Sequence, residues 1–163
     1  MIRDPFSLMD AIGAAFDRYQ KPTPNPDGTF TTYCNMSVCK VLLAMGSQEL
    51  RNIDGTPLNA DQMVADMAAE AAALGAWREI QMEDAQAVAN AGGIVVAGMT
   101  SQQLNMKHGH VVVCRPGNAE LSAKWAGMCP MVSHVGENSL IGIDASWAFP
   151  GTLRPRFFQL VAS

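Results

Sequence analysis

Apolar residues recur at helical spacing through the first half of the chain and in short runs through the second. Phe6, Met9, Ile12, Phe16 and Tyr19 repeat at three- and four-residue intervals, which predicts an amphipathic helix over 5–20 with those side chains inward. The stretch from Lys21 to Thr29 carries three prolines and an Asp27-Gly28 pair, and reads as a loop. A second helix is expected to begin at or just after Cys34 and to stop at Gly46, a residue suited to the left-handed position past a helix end. Val38, Val41, Leu42 and Met45 form its buried stripe, with Cys34 one turn before Val38 on the same line. Gln48 to Leu58 is polar and is expected to be a connection. Asn59 can cap a third helix with Gln62 in a capping box, and Leu58 and Met63 flank the cap as a hydrophobic staple. Met63, Met67, Ala71 and Leu74 are its expected inner face. A short helix from about Glu83 to Ala91 ends at Gly92-Gly93.

Beyond Gly93 the period becomes that of strands. Residues 93–99 read as a central strand, 100–107 as a polar loop and 108–114 as a second strand. Residues 119–129 look irregular, and 130–136 form a third strand. Leu140 to Ile143 is either a fourth strand or loop, and 156–161 is a last strand. Helices first and an antiparallel sheet second make an α+β order. A chain of 163 residues is expected to form one domain over 1–163.

Composition narrows the class of partner. Net charge is -4 and no Lys/Arg cluster exists, which argues against nucleic acid or an anionic membrane as the main partner. No apolar run approaches the roughly 18–20 residues of a membrane span. Met1 to Pro5 lacks the apolar core of a signal peptide, so the expectation is a chain made in the cytoplasm and delivered, if it acts outside, by another route. Four cysteines without C-x-x-C spacing make a zinc ribbon or thioredoxin-like motif unlikely chemistry. At most one bridge, Cys114 with Cys129, is expected.

Cys34 is the residue with chemical promise. A helix N-terminus presents free N–H groups and the positive dipole end, which lower a thiol pKa. Cys34 is then either a nucleophile or a small buried hydrophobe. An activating histidine must come from elsewhere in the chain, which offers His108, His110 and His134. Strand alternation puts His110, Val112 and Cys114 on one face, the face on which the Cys34 helix is expected to pack. Gly109 lacks a side chain and would let that helix approach. His108 lies in or beside the loop. A metal set of His108, His110 and Cys114 has suitable ligand types but too few ligands and no nearby carboxylate, so no metal or cofactor is expected.

Thr32-Tyr33-Cys34-Asn35, followed by Gly109-His110-Val111-Val112-Val113 and a weaker stretch from Pro130 to Gly136, resembles the NlpC-type papain-like cysteine peptidases. Within that group the chain looks most like the single-domain peptidoglycan amidases delivered by bacterial type VI secretion, with phage cell-wall hydrolases as a second home. The helix start departs from the Cys-Ser-Gly-Phe of many relatives: here it is Cys34-Asn35-Met36-Ser37. The resemblance implies N-terminal helices packed on a central antiparallel sheet and cleavage of an amide in a peptidoglycan stem peptide. It also implies action in the periplasm or cell wall of a target bacterium, and a cognate immunity protein as a further partner. His110 would take the Cys34 proton, and the Cys34 N–H, helped by Tyr33, would hold the oxyanion. The third member in that family follows on the next strand and is polar. His134 is the large polar side chain of 130–136, with Asn138 and Asp144 as fallbacks. Competing readings are a non-catalytic binding protein on the same scaffold and a papain-like acyltransferase with a non-wall acceptor.

Overall fold

The structure is a computed structural model that describes residues 3–161. It is α+β: helices and an antiparallel β-sheet. Helix α1 spans Pro5–Tyr19, capped by the Asp4 side chain on the Ser7 N–H with Pro5 in the first turn. A small ribbon of β1 (Thr23–Pro24) and β2 (Phe30–Thr31) follows, then helix α2, Cys34–Ala44. Gly46 takes a φ of 85°, as expected past a helix end. Helix α3, Ala60–Ala72, opens with the Asn59/Gln62 capping box. Strand β3 (Trp77–Ile80) and helix α4 (Met82–Asn90) precede β4 (Val95–Met99) and a one-turn helix α5 (Ser101–Leu104). Then come β5 (His110–Cys114), the β6 (Glu120–Ser122) and β7 (Gly127–Cys129) ribbon, β8 (Met131–His134), β9 (Leu140–Asp144) and β10 (Arg156–Leu160).

The main sheet has six strands in the order β3-β10-β4-β5-β8-β9, and every pairing is antiparallel. Its alternation sorts two hydrophobic clusters onto its two faces. Val96, Val111, Val113, Phe158 and Leu160 pack with the stripes of α1, α2 and α3. Val95, Ala97, Val112, Cys114 and Phe157 pack with α4, Trp125, Cys129 and Phe149. Burial of this apolar surface, at roughly 25 cal/mol per Å², is the main force fixing the layers.

Several elements differ from the sequence expectations. The buried line of α1 is Leu8, Ala11, Ile12 and Ala15, and Phe6 is exposed. Both lines share Ile12; the two alanines allow a closer approach to the neighbouring helix than Met9 and Phe16 would. Helix α3 ends at Ala72, so Leu74 falls beyond it at a φ of 56° and is exposed. Strand β3 was not expected, because Trp77-Arg78-Glu79-Ile80 has no clean alternation; it forms as an edge strand on β10. In the expected loop after β4, Thr100 and Gln103 form a second capping box that starts α5. The irregular stretch 119–129 contains the β6–β7 ribbon. All four cysteines are free, so the Cys114–Cys129 bridge is absent; the Cys129 sulfur faces Met82 Sδ at 3.7 Å.

Candidate active site

Cys34 is the first residue of α2, and no side chain caps that helix from Tyr33. The first intrahelical bond runs from the Ser37 N–H to the Tyr33 carbonyl, which leaves the preceding N–H groups without helical acceptors. The Cys34 sulfur takes up that role in part: the N–H groups of Val111, Asn35 and Cys34 itself all bear on it. Asn35 Nδ2 donates to the Leu58 carbonyl at 2.9 Å, pinning the start of α2 to the chain ahead of α3.

The placement of α2 corrects an expectation. Cys34 belongs to the cluster of Val111 and Val113, so α2 packs on the face opposite Val112 and Cys114. The link between thiol and histidine therefore runs around the start of β5: the N–H that bears on the sulfur is that of Val111, the residue after His110. The helix that closes on Gly109 is α3. A Cβ at Gly109 would lie 2.3 Å from Asp61 Oδ1 and 2.8 Å from the Met99 carbonyl. Asp61 in turn accepts from the Ser101 N–H and hydroxyl at 2.7 and 2.5 Å, which locks α3 to α5 beside that glycine.

His110 Nε2 and His134 Nδ1 are 2.8 Å apart, with the rings edge-on at 82°. Sheet register accounts for this. Cys114 pairs with Val132 and Val113 with Ser133, so His134 continues along β8 toward the His110 end of β5, on the face of Val112. Phe149 packs edge-on against the His110 ring, centroids 5.2 Å apart. His108 lies in the loop before β5 and is exposed. Of the fallbacks, Asn138 is exposed, and Asp144 is committed to capping the 3-10 turn Ala145–Trp147 through the Ser146 N–H. The Tyr33 hydroxyl is hydrogen-bonded to Thr23 Oγ1, which fastens it to the β1–β2 ribbon. Among the described residues, no group of three or more His, Cys, Asp or Glu side chains could hold a metal ion.

Burial sets the electrostatics. It pushes the Cys34 thiol above its ordinary value, and the three N–H groups oppose this without cancelling it. The expectation that the helix N-terminus alone would lower the thiol pKa is thus reversed at a residue only 6 % exposed. Burial also pushes His110 down to about 3, with His134 adding to the effect. His134 is lowered too, again by burial. The resting site is therefore a neutral thiol beside two neutral imidazoles. Two neutral imidazoles can share one N–H···N bond, which leaves His110 Nδ1 as a lone-pair acceptor whenever Nε2 is the donor.

Sequence reasoning overlooked Phe149 and the Val111 N–H. Phe149 lies in a loop whose local pattern carries no signal for contact with β5. No protein-family model matches the chain, and no curated protein matches it.

Proposed function

We propose that the chain is a cysteine-dependent amidase or endopeptidase of NlpC-like, papain-like fold that cleaves an amide in peptidoglycan stem peptides. One observation carries the reading: a thiol at a helix N-terminus stands beside the strand start whose histidine has its far nitrogen held by a second histidine at 2.8 Å. The Cys-then-His order on helix and strand supports the family, and the family supplies the substrate class. In the same reading the protein is an antibacterial secreted effector or phage-like lysin that works in the periplasm or cell wall of a target bacterium. An effector of that kind is paired with a cognate immunity protein.

In this mechanism His110 Nδ1 takes the Cys34 proton as the sulfur attacks the amide carbonyl. Both groups start neutral, so the transfer creates an ion pair within the site, and attack and proton transfer proceed together. The carbonyl π electrons move to oxygen, and the Cys34 N–H holds that oxyanion. His134 Nδ1 accepts the His110 Nε2–H, fixing the tautomer and stabilising the imidazolium. Collapse of the intermediate breaks the C–N bond as His110 returns the proton to the leaving amine. Water, deprotonated by His110, then releases the acyl group and restores the thiol.

Purified muropeptides incubated with wild type and Cys34→Ala test the reading. New amine and carboxylate ends, seen by mass spectrometry with wild type only, are the expected result. Intact muropeptides with wild type, or equal cleavage by Cys34→Ala, would sink it. The deep burial of Cys34 favours one alternative, a binding protein on the same scaffold. That alternative predicts muropeptide binding without cleavage, unchanged by Cys34→Ala.

A further inference from the structure

We propose that the turn between β8 and β9 is a positioning device for the histidine pair, with Gly136 as the wall behind the rings and Ser139 as the tie that holds the wall in place. The inference rests on the amidase reading for its consequence in rate, but its geometry stands apart from it.

Gly136 is buried, and it takes no left-handed φ, so its backbone would tolerate any residue. Only the space beside it is restrictive. A Cβ there would lie 3.1 Å from His134 Cε1, 3.4 Å from His134 Nε2 and 3.9 Å from His110 Cε1. The nearest neighbour of an added methyl is thus an imidazole ring, which would have to give by a few tenths of an ångström. That displacement falls on the partner of the 2.8 Å bond to His110.

Ser139 fixes where this wall stands. Its hydroxyl oxygen accepts the Gly136 N–H at 3.1 Å, and its proton goes to the Gln20 carbonyl at 2.6 Å, with the Gly136 carbonyl at 3.2 Å. Gln20 is the C-cap of α1. One hydroxyl therefore ties the turn behind the histidines to the helical layer that carries Cys34. Both groups act through His134, so both are positioning residues.

The test uses the whole chain with Gly136→Ala, Ser139→Ala and Ser139→Thr, in wild-type and His134→Ala backgrounds. Two readouts are taken: muropeptide turnover, and imidazole 15N spectra reporting the His110–His134 bond. Gly136→Ala is expected to lower kcat about tenfold with KM within about twofold, and to shift the His134 ring nitrogens. Ser139→Ala is expected to lose about threefold, and Ser139→Thr, which keeps a hydroxyl, to recover it. In the His134→Ala background, Gly136→Ala should cost nothing further. Wild-type kcat and spectra in Gly136→Ala would overturn the inference, as would a loss that adds in full without His134. If Gly136→Ala does not fold, the Ser139 pair decides by the same spectra. If wild type cleaves nothing, the amidase reading fails alone, and the ring spectra still decide whether Gly136 and Ser139 hold the pair.

Discussion

The two faces of the sheet are built by different means, and each contributes a different half of the candidate site. One face is covered by α1, α2 and α3, whose apolar stripes follow helical periodicity. The other is covered by one short helix and by Trp125 and Phe149, aromatic side chains from irregular segments. Cys34 belongs to the helical layer, while Phe149 of the other layer packs on His110, which bonds His134. A long helix holds its first residue through many neighbours. The histidine pair depends instead on one strand register, one turn and one aromatic ring. Substitutions on the helical face should therefore act mainly on stability, and those on the histidine face mainly on rate.

The sharpest break of this comparison is at the reacting groups themselves. Cys34→Ala and His110→Ala should each remove muropeptide cleavage by at least about 10³-fold while circular dichroism and melting stay close to wild type. If His108→Ala rather than His110→Ala had that effect, the base would lie in the loop before β5 and the assignment would fail.

His134→Ala should lower kcat by roughly 10–10³-fold without abolishing it, and Asn or Gln at that position should restore part of the loss. Full activity in His134→Ala would reduce the 2.8 Å contact to packing.

Acid should act on the histidine face first. The folded pKa of His110 lies at about 3, below the ordinary value of 6.5, so the unfolded chain binds more protons between those limits. The contribution to stability is fully present above about pH 6.5 and is lost as pH falls toward 3, by at most about 1.4 kcal/mol per pH unit for one imidazole. Urea titrations from pH 7 to 4 should show this slope, and it should flatten in His110→Gln. The thiol behaves in the opposite sense: with its pKa raised, Cys34 should react slowly with iodoacetamide at pH 6 and faster as the solution turns alkaline. Fast labelling at pH 6 would mean a preformed thiolate and contradict the neutral resting site.

The smallest effects compare the faces directly. Ile12→Val in α1 should cost about 0.5–1.5 kcal/mol and leave kcat of the folded protein within about twofold. Phe149→Leu should cost a similar amount, below about 1.5 kcal/mol, yet change kcat, because the ring edge against His110 is lost. Equal effects of the two on kcat would erase the distinction between the faces.

Much of this architecture is local, and local patterns are legible in a sequence. The stop of α2 at Gly46, the Asn59 box opening α3, the end of α4 before Gly92 and the fully buried β4 all follow from capping chemistry and periodicity. Cys34 at a helix start and His110 at a strand start were readable for the same reason, as was the α+β order. Which face each element packs on was not, because a stripe specifies that a helix is covered without specifying by what. Tertiary packing put α2 over Val111 and Val113, set β10 between β3 and β4, and brought α3 rather than α2 onto Gly109. It also decided the protonation of the site: a helix N-terminus favours a thiolate, but burial, a property of the assembled layers, outweighs it and leaves Cys34 and His110 neutral.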